Sequence, residues 1–79
     1  MNGAFRPEFL KYYVRVTNVK LFNALVASAE KSEAKDIETR RENGYYIIRT
    51  NNQYIWRELF LYGQMLAQAQ GEIIEAGES

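Results

Sequence analysis

Asn43-Gly44, set between two runs of alternating residues, constrains this chain more than any other feature. A two-residue loop that continues the twist of its strands needs positive φ at both central positions. Asparagine tolerates that conformation and glycine accepts it freely. With the loop fixed at two residues, the pairing follows by arithmetic. Glu42 faces Tyr45, Arg41 faces Tyr46, Arg40 faces Ile47, Thr39 faces Ile48, Glu38 faces Arg49 and Ile37 faces Thr50. Glu38 and Arg49 carry opposite charges, so register and chemistry agree on a hairpin of strands 36–42 and 45–50.

Elements on either side of the hairpin follow from hydrophobic period. Lys11 to Val16, "KYYVRV", alternates and is rich in β-branched and aromatic residues, the pattern of a half-buried strand over 11–16. It puts Tyr12, Val14 and Val16 on one face, and Lys11, Tyr13 and Arg15 on the other. Thr17 or Asn18 stands where a helix cap belongs. A helix over 18–33 then has Leu21, Phe22, Leu25, Val26 and Ala29 on one side, and Lys20, Asn23, Glu30 and Lys31 opposite. Pro7 biases Arg6 toward an extended form, so residues 1–10 read as an N-terminal arm. Beyond the hairpin, Thr50 and Gln53 have capping-box spacing, with Asn51 and Asn52 as rival caps. A helix over 53–75 follows, with Gly71 and Gly77 as potential breaks and 76–79 as a tail.

The order is β-α-β-β-α, a small α+β domain that occupies the whole of 1–79. Its sheet is expected to be three-stranded and mostly antiparallel, with both helices on one face. The apolar "YYIIR" strand takes the centre, leaving "KYYVRV" and the polar "DIETRR" at the edges. A chain of 79 residues buries only about 60% of its unfolded surface, so small domains recruit disulfides, metals or oligomerisation. This one has no cysteine and no histidine, which removes disulfides and the usual zinc ligands and leaves oligomerisation. A homodimer is therefore expected.

Charge and hydropathy narrow the classes of partner. Ten basic and ten acidic residues give a net charge of zero, with no global pull toward nucleic acid or anionic membranes. Arg57, Glu58 and several glutamines interrupt the most apolar stretch, Tyr54 to Ile74, so no membrane span is expected. The first ten residues lack the apolar core of a signal peptide, and the expected location is cytoplasmic.

Two surfaces stand out. The sheet face away from the helices would carry Lys11, Tyr13, Arg15, Glu38, Arg40, Tyr45, Ile47 and Arg49. Tyr13, Arg15, Arg40, Tyr45, Ile47 and Arg49 are its candidate partner-binding residues. Tyrosine and arginine are favoured anchors in protein interfaces, and the same pair serves nucleic acid by stacking on bases and meeting phosphates. The plainer alternative is that cross-strand pairs on this face only stabilise the sheet.

The last helix offers the second surface. Ile55, Leu59, Tyr62, Leu66, Ala69 and Ile73 form one stripe, and Trp56, Phe60, Gly63, Ala67 and Ile74 a second beside it. Tyr54, Leu61 and Met65 add a further flank, so only a narrow ridge (Gln53, Arg57, Gln64, Gln68, Glu75) is consistently polar. One sheet covers an apolar arc of about 100° or somewhat more, and this arc is wider. Self-association is expected through Trp56, Phe60, Leu61, Gly63, Met65 and Ala67, with Gly63 and Ala67 permitting close helix approach. Alternatively the first helix and the arm (Ala4, Phe5, Phe9, Leu10) cover the excess.

No residue is assigned to catalysis, cofactor binding or metal. The acidic residues Glu30, Glu33, Asp36, Glu38 and Glu42 lack a ligand-like spacing. There is neither a phosphate-cradling glycine loop nor a nucleophile elbow. The chain reads as a non-enzymatic interaction module, a regulator, adaptor or inhibitor that occupies a surface of a larger protein. The alternative is a nucleic-acid-binding regulator using the open sheet face. Domains of this size are frequent among phage and mobile-element accessory proteins, an analogy from size alone.

Overall fold

A computed structural model describes residues 10–78. In chain order it has β1 (Tyr12–Val16), α1 (Val19–Lys31), β2 (Ile37–Glu42), β3 (Tyr45–Thr50), α2 (Gln53–Gln70) and β4 (Ile74–Glu78). The strands form one antiparallel sheet in the order β2-β3-β1-β4. Both helices pack on the face that carries Val14, Val16 and Ile48. The arm expected over residues 1–10 lies, but for Leu10, outside the described residues; Leu10 itself is buried.

The hairpin has the register that its loop dictates, from Glu42↔Tyr45 to Ile37↔Thr50. Asn43 and Gly44 take φ of 52° and 82°, as a type I′ turn requires. Nothing lies within 4 Å of a Cβ built on Gly44, so the constraint there is the backbone and not space. Gly44→Val is therefore expected to cost about 1–3 kcal/mol of strain. Thermal unfolding checks this: each kcal/mol lowers the Tm of a domain this size by roughly 4–8 °C.

Asparagine caps both helices. The Asn18 side chain accepts from the Leu21 N–H at 3.0 Å, and Asn52 accepts from those of Tyr54 and Ile55 at 2.9 and 3.1 Å. Thr50 does not form the capping box with Gln53; its buried hydroxyl instead accepts from the Asn52 N–H at 3.0 Å. α1 stops at Lys31, short of the expected 33, and Glu33 turns the chain with a φ of 57°.

The sheet has four strands and not three. The last helix ends at Gln70, where the expectation ran to 75. Gly71 enters the left-handed region at φ 70°, the Glu72 N–H bonds the Ala67 carbonyl at 2.8 Å, and that closure stops the helix. Ile74–Glu78, read in part as a tail, instead pairs with β1 from Val16↔Ile74 to Tyr12↔Glu78. β1 is consequently an interior strand, and the edges are β2 and β4.

Leu21, Leu25 and Ala29 of α1 meet Leu59 and Ala67 of α2 over Val14, Val16 and Ile48. The buried line of α2 is Leu59, Gly63 and Ala67; of the first stripe Ile55 and Leu66 also pack against the core, whereas Tyr62, Ala69 and Ile73 are exposed. Ile73 is not helical at all and lies 76% exposed in the turn before β4.

Candidate protein-interaction surfaces

On the open sheet face the four strands align in rows. One row runs Glu75, Arg15, Ile47, Arg40, and the next runs Gly77, Tyr13, Arg49, Glu38. The six candidate residues are thus brought together, but their charges are answered from within. Arg15 makes a two-pronged contact with Glu75, Nε to Oε1 at 3.1 Å and Nη2 to Oε2 at 2.9 Å. Its guanidinium lies 4.5 Å from the Tyr45 ring centroid and 6.0 Å from that of Tyr13. Hydrogen bonding to Glu75 raises the Arg15 pKa, and the same bonds lower that of Glu75.

Arg40 sits between two carboxylates, 3.3 Å from Glu38 and 3.6 Å from Glu42. Tyr13 lies across Gly77, where a Cβ would come within 2.9–3.0 Å of its ring and hydroxyl. A bare edge glycine is thereby covered by an aromatic side chain from the next strand. Arg49 differs from the other two arginines, because among the described residues its Nε is buried without a hydrogen-bond partner, as is Oε1 of the facing Glu38. Sequence reasoning missed Glu75, which it placed on the polar ridge of a helix. The alternation of Ile74 and Ala76 after Gly71 was the available signal.

The faces of α2 divide differently from the expectation. Gly63 and Ala67, expected to admit a second helix, are buried within the fold. A Cβ on Gly63 would collide with Ile74 Cδ1 and come within 3.2 Å of Leu25 Cδ2, so it is this chain's own β4 and α1 that approach. Trp56 is likewise engaged. It stacks on Tyr12 with ring centroids 4.5 Å apart, and its indole N–H donates to the Tyr13 carbonyl at 2.9 Å. Phe60 is half-buried.

What remains outward is the third flank: Tyr54, Leu61 and Met65 are 77%, 58% and 59% exposed. Their spacing of seven and four residues sets them on one line, opposite Leu59 and Gly63. Tyr62 borders the line and shares a shallow groove with Ala24, Ala27, Ser28 and Lys31 of α1. Among the described residues no group of acidic side chains could hold a metal ion, and no helix is long and apolar enough to cross a membrane.

Two helices laid on one face of a four-stranded antiparallel sheet define a small two-layer α+β domain. No protein-family model matches the chain, and no curated protein matches it. Among solved structures, the de novo designed protein Foldit4 is similar over 89% of this chain and 92% of its own, with 14% identity and a TM-score of 0.49. That likeness carries nothing about function.

Proposed function

We propose that this chain is a non-enzymatic protein-interaction module that occupies a surface of a larger protein or assembly, as small regulators, adaptors and inhibitors do. The observation that carries the reading is the outward line of Tyr54, Leu61 and Met65 on α2. Single exposed apolar residues are ordinary, whereas an aligned set on a rigid helix is a patch that a partner can desolvate. The open sheet face supports the reading less, because Arg15 and Arg40 already have carboxylate partners. The same pairing weakens the nucleic-acid alternative, which needs those cations for phosphate. Self-association through α2 is the second form of the reading, and it would rest on Leu61 and Met65. The cysteine-free sequence suits a reducing compartment, and the reading places the module in the cytoplasm.

A Leu61→Glu/Met65→Lys double variant tests the surface. Both side chains lie outside the core, so the circular dichroism of the folded domain should be retained. Capture of a protein partner from native lysate should be lost, since charges buried in an interface are costly, and nuclease treatment should not affect capture by the wild type. Capture by the variant at wild-type level, or capture by the wild type that disappears with nuclease, would count against the reading. Sedimentation equilibrium reports the self-associating form as a shift toward monomer.

A further inference from the structure

β2 is an edge strand whose two faces are almost bare. Thr39, Arg40, Arg41 and Glu42 are exposed, and only Ile37 joins the core. The strand is regular from Ile37 to Glu42, with no proline, glycine or bulge, so its charged side chains are what guards it.

Among the described residues its outer hydrogen-bonding groups are unpaired, and they are identifiable. A two-residue loop makes Glu42 and Tyr45 a hydrogen-bonded pair, and such pairs alternate along an antiparallel ladder. Glu42, Arg40 and Glu38 therefore turn their N–H and C=O groups toward β3. Those of Arg41, Thr39 and Ile37 point away from the sheet. A second copy added antiparallel about a twofold axis must pair these outward residues, so the axis falls on Ile37, Thr39 or Arg41.

Charge and overlap together separate the three registers. An axis on Arg41 puts Arg40 opposite Glu42 twice, but it also sets Arg41 against Arg41 and overlaps only residues 40–42 before the turn, and an axis on Ile37 sets Asp36 against Glu38 twice. An axis on Thr39 sets Glu38 opposite Arg40 of the second copy, and Arg40 opposite its Glu38. Both are non-hydrogen-bonded pairs, the positions where facing side chains come closest. Like charges meet in that register only at its ends, where Asp36, outside β2, opposes Glu42.

We infer that β2 is a docking edge for β2 of a second copy, centred on Thr39 and joining two four-stranded sheets into one. This dimer does not depend on the α2 reading. It leaves Leu61 and Met65 of both copies exposed, so a module that binds through α2 would become bivalent.

Charge exchange and sedimentation equilibrium test the register. Arg40→Glu alone and Glu38→Arg alone each place like charges opposite one another twice, and should weaken the dimer by roughly tenfold or more. Mixing the two variants restores both opposite-charge pairs, and the dimer mass should return. Thr39→Pro removes the outward N–H at the axis while sparing the ladder to β3, and should give a folded monomer. In the wild type, amide exchange at Thr39 and Arg41 should slow as concentration rises. A wild type that stays monomeric at millimolar concentration with unchanged exchange at those amides would overturn the inference. So would a Thr39→Pro chain that keeps the dimer mass, or a mixture that does not recover it. A dimer lost in Leu61→Glu/Met65→Lys but kept in the β2 variants would overturn it too, and would place self-association on α2 instead.

Discussion

Leu25→Ala is expected to destabilise the chain by about 2–5 kcal/mol, the range for truncating a buried leucine. Leu25 is fully buried, and its methyls would lie 3.2 and 3.4 Å from a Cβ on Gly63, so it is a contact through which α1 meets α2. Total stability at about 0.05–0.15 kcal/mol per residue comes to roughly 4–12 kcal/mol for a chain of this length. The loss is thus a large share of the whole, and at the low end the variant is substantially unfolded at room temperature. Urea unfolding followed by circular dichroism should show a lowered midpoint with an unchanged slope. Leu61→Ala is the control: its side chain is 58% exposed and nothing collapses around it, so the midpoint should scarcely move. Equal midpoints for Leu25→Ala and the wild type would remove Leu25 from the core.

Gly63→Val is the second large effect, and it acts by excess volume. The α2 backbone approaches so closely here that even a Cβ displaces the end of Ile74. Forcing extra methyl groups into a filled site costs about 1–3 kcal/mol. Gly63→Ala should instead stay near wild type, because the flexible end of Ile74 can swing aside and helix propensity returns about 1 kcal/mol. The valine variant should also loosen β4 first, since Ile74 begins that strand. Amide exchange along 74–78 should then rise more than along β3. Wild-type protection of β4 in Gly63→Val would contradict the contact.

Gly63 also marks where the sequence stops being legible. Hairpin register could be read in full because Asn43-Gly44 fixes the loop length, and the loop length fixes every partner. Local alternation was enough to identify the core face of β1 and β3, with Val14, Val16 and Ile48 buried as expected. β4 escaped because Ile73 and Ile74 each stand seven residues beyond Leu66 and Ala67, so they continue the helical stripes without a visible break. Only the left-handed Gly71 and pairing with β1, some sixty residues earlier, decide otherwise. Once β4 was missed, Gly63 looked like a gap for an external helix, although Ile74 of the same chain fills it. The open face was read incompletely for the same reason: its six candidate residues share the face, but the carboxylate that answers Arg15 lies on the missing strand.

Site-specific photocrosslinking in native lysate tests the assignment of the contact surface most directly. A photoreactive side chain at position 61 or 65 probes the outward face of α2, and one at 45 or 49 probes the open sheet face. If α2 is the contact surface, positions 61 and 65 should give nuclease-resistant protein adducts, and positions 45 and 49 none. Adducts at 45 or 49 with none at 61 or 65 would contradict it. So would an internal link from 61 or 65 to residues 1–9, because the chain would then cover its own helix.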